Sequence, residues 1–150
     1  MKTNISAFVF FLFALFSYGT ASAQHPNVKS PVTVKDIGTQ LEIKYDISGL
    51  GNIRSTQATL TYDIHVETQC RNHGGNVAPG QSYDDDDHID TFTIPVNNGR
   101  ARGTYTTKAI VIDQSKADCP NGGWTAELAD VTFSNVVFKI GGVQYYPPLP

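Results

Sequence analysis

Residues 58–67, with the sequence Ala-Thr-Leu-Thr-Tyr-Asp-Ile-His-Val-Glu, form the longest regular alternation in this chain of 150 residues. An apolar side chain occupies every second position, and polar or charged side chains lie between. Successive side chains of a β-strand point to opposite faces, so the pattern predicts a strand with one buried and one solvated side. No window of the sequence combines an apolar period of 3.6 residues with helix caps, and we therefore expect an all-β protein.

Shorter alternating stretches lie on both sides of this strand. They predict further strands at residues 32–34, 41–47, 92–96, 100–112, 124–133 and 136–140. Asn97-Asn98-Gly99 and Gly141-Gly142 predict tight hairpin turns, because Asn and Gly tolerate positive φ. The apolar phase changes near Ser134-Asn135, which predicts a bulge or turn. Seven to nine short strands predict a single immunoglobulin-like antiparallel β-sandwich, with a jelly roll or a small barrel as the alternative.

The first 23 residues have the features of a secretory signal peptide. Lys2 supplies a positive start, residues 5–18 are almost wholly apolar, and Ala21-Ser22-Ala23 matches a cleavage pattern of small residues. The apolar run of about 14 residues is shorter than the roughly 20 that span a bilayer. The sequence therefore predicts a signal peptide at 1–23 and one mature domain at 24–150, secreted or periplasmic, with no membrane insertion after cleavage.

The net charge limits the expected partners, and the two cysteines predict a disulfide. The formal net charge is −3 and the sequence shows no basic patch, so we expect neither a nucleic acid nor an anionic membrane as partner. The two cysteines of an exported chain predict one disulfide, Cys70–Cys119. Both are expected at strand ends, where the bridge would fasten loops. Two isolated cysteines lack the spacing of a zinc site.

Residues 70–81, Cys-Arg-Asn-His-Gly-Gly-Asn-Val-Ala-Pro-Gly-Gln, interrupt the strand pattern. Three Gly, a Pro and two Asn are typical of turns and disfavour sheet pairing. The stretch leads into four consecutive aspartates, Asp84–Asp87, after which the strand pattern resumes near His88. We therefore expect a long structured loop over 70–87.

The pattern Cys-x-Asn-x-Gly-Gly-Asn-x-Ala-Pro-Gly resembles a loop in small exported bacterial β-sandwich proteins of uncharacterised function. The residues that carry the resemblance are Cys70, Asn72, Gly74, Gly75, Asn76, Ala78, Pro79, Gly80 and Cys119. The resemblance implies an exported β domain with a second cysteine downstream, and it implies no activity. The aspartate run is outside the pattern.

Two candidate binding sites follow from residue type. Ca²⁺ takes six to eight oxygen ligands on flexible loops. A calcium site is one hypothesis for the carboxylates Asp84, Asp85, Asp86, Asp87 and Asp90, and a solvated acidic loop is the other. The spacing matches no EF-hand. Tyr83 and Tyr146 are the more accessible tyrosines, and they are the candidates for stacking on sugar rings.

Catalytic motifs are absent from the sequence. It contains neither G-x-S-x-G nor H-E-x-x-H. Glu67 and Glu127 are the one pair of outward carboxylates on strands that could act as acid and base in sugar cleavage. We therefore expect a non-enzymatic exported protein that acts by surface recognition or as a structural component through residues 70–87. Its expected partner is an extracellular glycan or protein. The alternatives are a calcium-stabilised carbohydrate-binding module and a secreted hydrolase with an unrecognised site.

Overall fold

The alternating stretch lies inside an 18-residue strand, around which the other strands are arranged. The computed structural model describes residues 26–120 and 122–150. Its strands are β1 (Asn27–Asp36), β2 (Leu41–Ser48), β3 (Ser55–Asn72), β4 (Val77–Pro79), β5 (Tyr83–Pro95), β6 (Arg100–Thr106), β7 (Trp124–Ile140) and β8 (Val143–Tyr145). These ranges contain no helix, so none that could cross a membrane. The all-β prediction is confirmed.

Two antiparallel sheets make up the sandwich. The first sheet has the order β1-β2-β6. In the second sheet β3 pairs with β7 on one side and with both β4 and β5 on the other, and β8 pairs with the end of β7. The count of eight strands falls within the predicted range. The predicted signal peptide lies outside the described residues.

The core lies between the two sheets and consists of the inward rows of their strands. All five inward side chains of the alternating stretch are buried: Ala58, Leu60, Tyr62, Ile64 and Val66. Phe138 of β7 is fully buried, and its ring stacks on Tyr45 of β2 with 5.6 Å between centroids. Each large apolar side chain that is fully buried contributes about 1.5–3 kcal/mol. The contact between Phe138 and Tyr45 joins the two sheets.

Three of the predicted irregularities are confirmed. Asn97 and Arg100 exchange two backbone hydrogen bonds of 2.9 and 3.0 Å around Asn98 and Gly99, both at positive φ. This turn connects β5 of the second sheet to β6 of the first. Gly141 and Gly142, also at positive φ, form the turn between β7 and β8. A register shift accompanies Asn135, whose φ is 50°.

The strand predicted to continue to residue 112 ends at Thr106. Its partner β2 begins at Leu41, and the ladder between the two strands ends there. Thr107 closes the ladder, because its N–H donates to the Leu41 carbonyl and its hydroxyl accepts from the Leu41 N–H, each at 3.0 Å. Beyond this point residues 107–123, called here the 107–123 segment, run along the side of the sandwich without strand structure in their described part.

The prediction of a long loop over 70–87 is wrong. β3 continues to Asn72, the chain turns at residues 73–76, and β4 then pairs back on β3. Tyr83 already begins β5, so the whole aspartate run lies in a strand. Backbone pairing with β3 does not depend on side-chain polarity, and the carboxylates remain exposed or partly exposed there. β4 and β5 therefore act as one edge strand with a break at residues 80–82.

The predicted disulfide Cys70–Cys119 is present, with 5.8 Å between the Cα atoms. Cys119 lies outside the strands, whereas Cys70 lies two residues before the end of β3, in agreement with the expectation of a strand end. Cys70 is fully buried within β3, opposite Ala78 of β4 and Ala126 of β7. Cys119 belongs to the 107–123 segment, so the bridge fastens that segment to the central strand.

We expect reduction of this disulfide to lower the melting temperature. The bridge spans 49 residues in sequence, and for a loop of that order the chain-entropy model gives about 4 kcal/mol. Amide hydrogen exchange should increase more at residues 113–119 than at 58–66, because β3 keeps both partner strands after reduction. An unchanged melting temperature with dithiothreitol, after mass spectrometry has verified the bridge in the non-reduced protein, contradicts this expectation.

Candidate functional site

The Gly- and Asn-rich motif forms the tip of the hairpin between β3 and β4. Gly75 N–H donates to the Asn72 carbonyl at 2.9 Å, and Gly75 itself has a φ of 81°. The Asn72 side-chain oxygen accepts from Asn76 N–H, also at 2.9 Å. A turn followed by a left-handed residue is a common three-residue hairpin connection. Asn72, Gly75 and Asn76 therefore have a conformational role in this turn.

Pro79 and Gly80, two further residues of the motif, lie at the end of β4, where the edge strand is interrupted. Gly80, which follows Pro79, donates its N–H to the Thr68 carbonyl at 2.9 Å. A Cβ on Gly80 would lie 2.3 Å from Thr68 Oγ1 and 2.9 Å from the Thr68 carbonyl carbon. The Thr68 hydroxyl donates to the Gln81 carbonyl at 2.8 Å. This close approach of two backbones explains why glycine is needed at position 80. Gly74 is less constrained, since its nearest contact is the Asn72 side chain.

The aspartate run alternates between the two faces of β5. Asp84 and Asp86 are exposed on the outer face, whereas Asp85 is half-buried with the inward row. Asp87 has a φ of 59°, and its N–H donates to Asp63 Oδ1 at 2.8 Å. A register shift on β3 accompanies this bulge, after which His88 and Asp90 continue the inward row.

Two carboxylates of β5 have separate side-chain partners. Asp84 is 2.6 Å from His65 Nδ1, and Asp85 is 2.8 Å from His88 Nε2. Lys116 of the 107–123 segment is 3.5 Å from the other oxygen of Asp85. The hydrogen bond to His88, followed by the charge of Lys116, lowers the pKa of Asp85 despite partial desolvation.

The calcium hypothesis gains no support from this arrangement. No group of three Asp, Glu, His or Cys side chains within residues 26–120 and 122–150 could hold a metal ion. Asp84 and Asp86 lie on the outer face of β5, Asp85 and Asp90 lie with the inward row, and the carboxylates of Asp84, Asp85 and Asp90 have different partners. A calcium site in the run stays a prediction of the sequence.

A pocket of about 260 Å³ lies between the inward row of β5 and the 107–123 segment. We call it the β5 pocket. It is lined by Tyr62, Tyr83, Asp85, His88 and Asp90, together with Ile64, residues 108–111 and Asp113. The Tyr62 and His88 rings stack with 5.5 Å between centroids and form an aromatic wall. The pocket thus combines three carboxylates, an imidazole, phenol groups and the side chain of Lys108.

Burial and neighbouring charge hold the polar groups of the pocket in defined protonation states. Burial, followed by the charge of Asp90, raises the pKa of Tyr62 to about 12. Burial and the same carboxylate raise the pKa of Tyr105, whose hydroxyl donates to Asp90 Oδ2 at 3.2 Å. At neutral pH both phenols are therefore hydrogen-bond donors, and Asp85 is ionised.

Of the two tyrosines predicted to bind a ligand, only Tyr83 lines this pocket. Its hydroxyl accepts from Asp113 N–H at 2.9 Å, and Lys116 Nζ lies 5.2 Å from its ring centroid. Tyr146 follows β8 on the opposite side of the second sheet and is 71% exposed. Tyr83 is level with Val66 of β3, whereas the β8 end is level with Leu60, so roughly 20 Å along the strand separates them. The structure does not bring the pair together.

Glu127, one of the two carboxylates that could act in sugar cleavage, has a structural role between β3 and β7. Both oxygens of Glu127 accept from Arg71 Nε at 2.9 Å, and Gln69 donates to one of them at 3.1 Å. These bonds lower the pKa of Glu127. A carboxyl group that stays ionised is a poor proton donor, so Glu127 does not match the general acid of a glycosidase.

A second polar centre lies on the outer face of the first sheet. Asp46 of β2 is nearly buried there, and Arg100 contacts both of its oxygens, with 2.6 Å between Arg100 Nε and Asp46 Oδ1. Arg102 Nε is 3.9 Å from the same carboxylate. The hydrogen bond from Arg100 is the main reason why the pKa of Asp46 is lowered. The sequence missed this centre, because its residues come from two strands more than 50 positions apart.

Comparisons of the chain with family models, with curated proteins and with solved structures find no match. The site must therefore be interpreted from its own chemistry.

Gly80→Ala should destabilise the protein, because its methyl group would overlap Thr68. Overpacking of this kind costs about 1–3 kcal/mol, which urea unfolding can measure. Gly122→Ala is the matched control, since a Cβ at Gly122 has nothing within 4 Å and its φ is not positive. Equal stabilities of the two variants contradict the constraint at position 80.

The ion pair of Asp46 predicts a specific pH dependence. Because folding lowers its pKa below the ordinary 3.8, the carboxylate stabilises the native state above that pH. The contribution disappears as the pH falls through the lower native value. Asp46→Asn should therefore lower the melting temperature at pH 6–7, and the difference from wild type should shrink below about pH 4. Asp130→Asn, at an exposed position of β7, should show no such pH-dependent difference.

Proposed function

We propose that the protein is a non-catalytic, exported recognition domain that binds an extracellular glycan in the β5 pocket. The observation that supports this proposal is the convergence of a stacked aromatic pair with Asp85, His88 and Asp90 in one concave site. Ligand sites in proteins combine aromatic walls with a few well-placed polar groups. The volume of about 260 Å³ is close to the lower end of such sites, which suits one sugar unit of a longer chain.

The chemistry of the pocket suits neutral sugar hydroxyl groups. Carboxylates accept hydrogen bonds from hydroxyl groups, and protonated phenols and Lys108 can donate to hydroxyl or ring oxygens. The imidazole of His88, which stacks on the buried ring of Tyr62, offers apolar area to the C–H groups of a sugar. Donors, acceptors and aromatic surface are thus available within one pocket.

Export is part of the proposal. The predicted signal peptide at 1–23 and the disulfide are both consistent with a secreted or periplasmic protein, because disulfides persist in oxidising compartments. We further propose that the sandwich is immunoglobulin-like. The recognition surface consists of β5 and the 107–123 segment, and the hairpin tip at residues 72–76 serves to position β5.

The proposal can be tested with a glycan array and the chain from Gln24 onward, purified from an oxidising compartment. Asp90→Asn should weaken binding of any glycan detected by about tenfold or more, because a hydrogen bond to a charged group contributes about 1.5–3 kcal/mol. Asp86→Asn is the matched control, since it makes the same charge change on the outward face of the same strand.

Two outcomes contradict this function. One is an array without binding under conditions where the purified protein retains its disulfide and its melting transition. The other is binding that Asp86→Asn and Asp90→Asn weaken equally, which would assign the effect to charge at the surface of β5 rather than to the pocket.

A further inference from the structure

The outer face of the first sheet is richer in basic side chains than the chain as a whole. The outward positions of β2 and β6 include Lys44, Arg100 and Arg102, whereas the acidic residues there are Glu42 and Asp46. The chain carries a net charge of −3, and its aspartate run lies on the other sheet. Antiparallel pairing brings basic residues together that are far apart in sequence. The net charge of the whole chain therefore does not describe this face.

A groove of about 450 Å³ crosses this face, within the volume range of small-molecule sites. We call it the basic groove. Its polar lining consists of Ser30, Thr33, Lys44, Asp46, Arg102 and Thr104. The pairing of β1 with β2 shifts register between Ser30 and Thr33, next to Pro31. This irregularity of β1 coincides with the position of the groove.

The charged groups of the basic groove differ in how closely they are paired with opposite charges. The two-point contact with Arg100 largely satisfies Asp46. Arg102 is 77% exposed and approaches Asp46 only to 3.9 Å, and Lys44 is 64% exposed, with Glu42 at 3.4 Å. Exposed ion pairs contribute little to stability, so both cations can change partner at little cost. A ligand in the groove therefore meets one guanidinium and one ammonium group that are available.

We propose that the basic groove binds the carboxylates of an acidic, uronic-acid-containing polysaccharide. The planar fork of Arg102 matches a carboxylate bidentately, and Lys44 adds a second positive charge. The hydroxyl groups of Ser30, Thr33 and Thr104 can exchange hydrogen bonds with sugar hydroxyls between the charges. Only two cations are available, and Asp46 lies beside them. This low charge density suits one carboxylate per sugar unit better than densely sulfated or phosphorylated polymers.

This site is independent of the β5 pocket. The basic groove lies on β1, β2 and β6, whereas the β5 pocket lies beside β3 and β5. A polyanion on the outer face of the first sheet avoids the aspartates of the second sheet. The loss of either binding activity leaves the other testable.

Isothermal titration of the full mature chain with an oligogalacturonate provides the test. The double variant Lys44→Gln/Arg102→Gln should weaken binding about tenfold or more, equivalent to about 1.4 kcal/mol or more. The matched control is Arg54→Gln/Lys139→Gln, which removes the same charge at exposed positions outside the groove and should change the affinity less than about twofold. In NMR titration, the amides of Ser30, Thr33 and Thr104 should shift first.

Several results overturn the proposal. Equal loss in both double variants reduces the effect to net charge. A chain that binds dextran sulfate or a DNA duplex more tightly than the oligogalacturonate has no preference for carboxylates. Wild-type protein that does not bind at low salt, or whose NMR shifts map to the β5 pocket, lacks the proposed site. Circular dichroism of each variant verifies that it is folded.

Discussion

The fold depends on the pairing of β3 along both of its edges. β7 pairs with β3 from residue 58 to residue 72, and β5 and β4 together cover most of the same length on the other side. The inward row of β3 supplies apolar contacts to the first sheet, and its outward row is polar. A shift of one residue in the pairing register would therefore turn the apolar row toward solvent and the polar row toward the core. The disulfide at Cys70 and the close backbone contact between Gly80 and Thr68 both lie in the last third of this strand. Its register therefore determines where the β5 pocket lies.

The most distinctive stretch of the sequence has a structural explanation. Asn72 and Gly75 form a turn, Gly80 allows two backbones to approach, and Cys70 fastens the 107–123 segment to the central strand. The same bridge brings Lys116 and Asp113 near Tyr83 and Asp85 of β5. The motif thus contributes to the candidate site indirectly, because it determines which segment faces β5 across the pocket.

The parts of the fold that depend on local signals were predictable from the sequence. Alternation located β2, β3 and β7, and Asn-Gly and Gly-Gly located two turns. The sequence favours a loop at residues 83–87 because consecutive aspartates do not alternate, although backbone pairing accepts them where solvent and nearby polar groups satisfy the carboxylates. The β5 pocket and the basic groove could not be predicted. Their residues come from strands distant in sequence, and single-sequence patterns carry no information on which strands become neighbours.

The aspartate run also affects whether other copies of the protein can add strands to the edge of the second sheet. β5 pairs with β3 on one side, and within the described residues no strand covers its other side. A bare strand of 13 residues is a template on which unfolded or partly folded copies can add strands, and charged side chains and bulges are the usual protection against such aggregation. Asp84 and Asp86 place negative charge along this edge, and the bulge at Asp87 interrupts its flatness. Neutralising the run would therefore expose the protein to fibril growth during storage or heating, even where the native fold is unchanged.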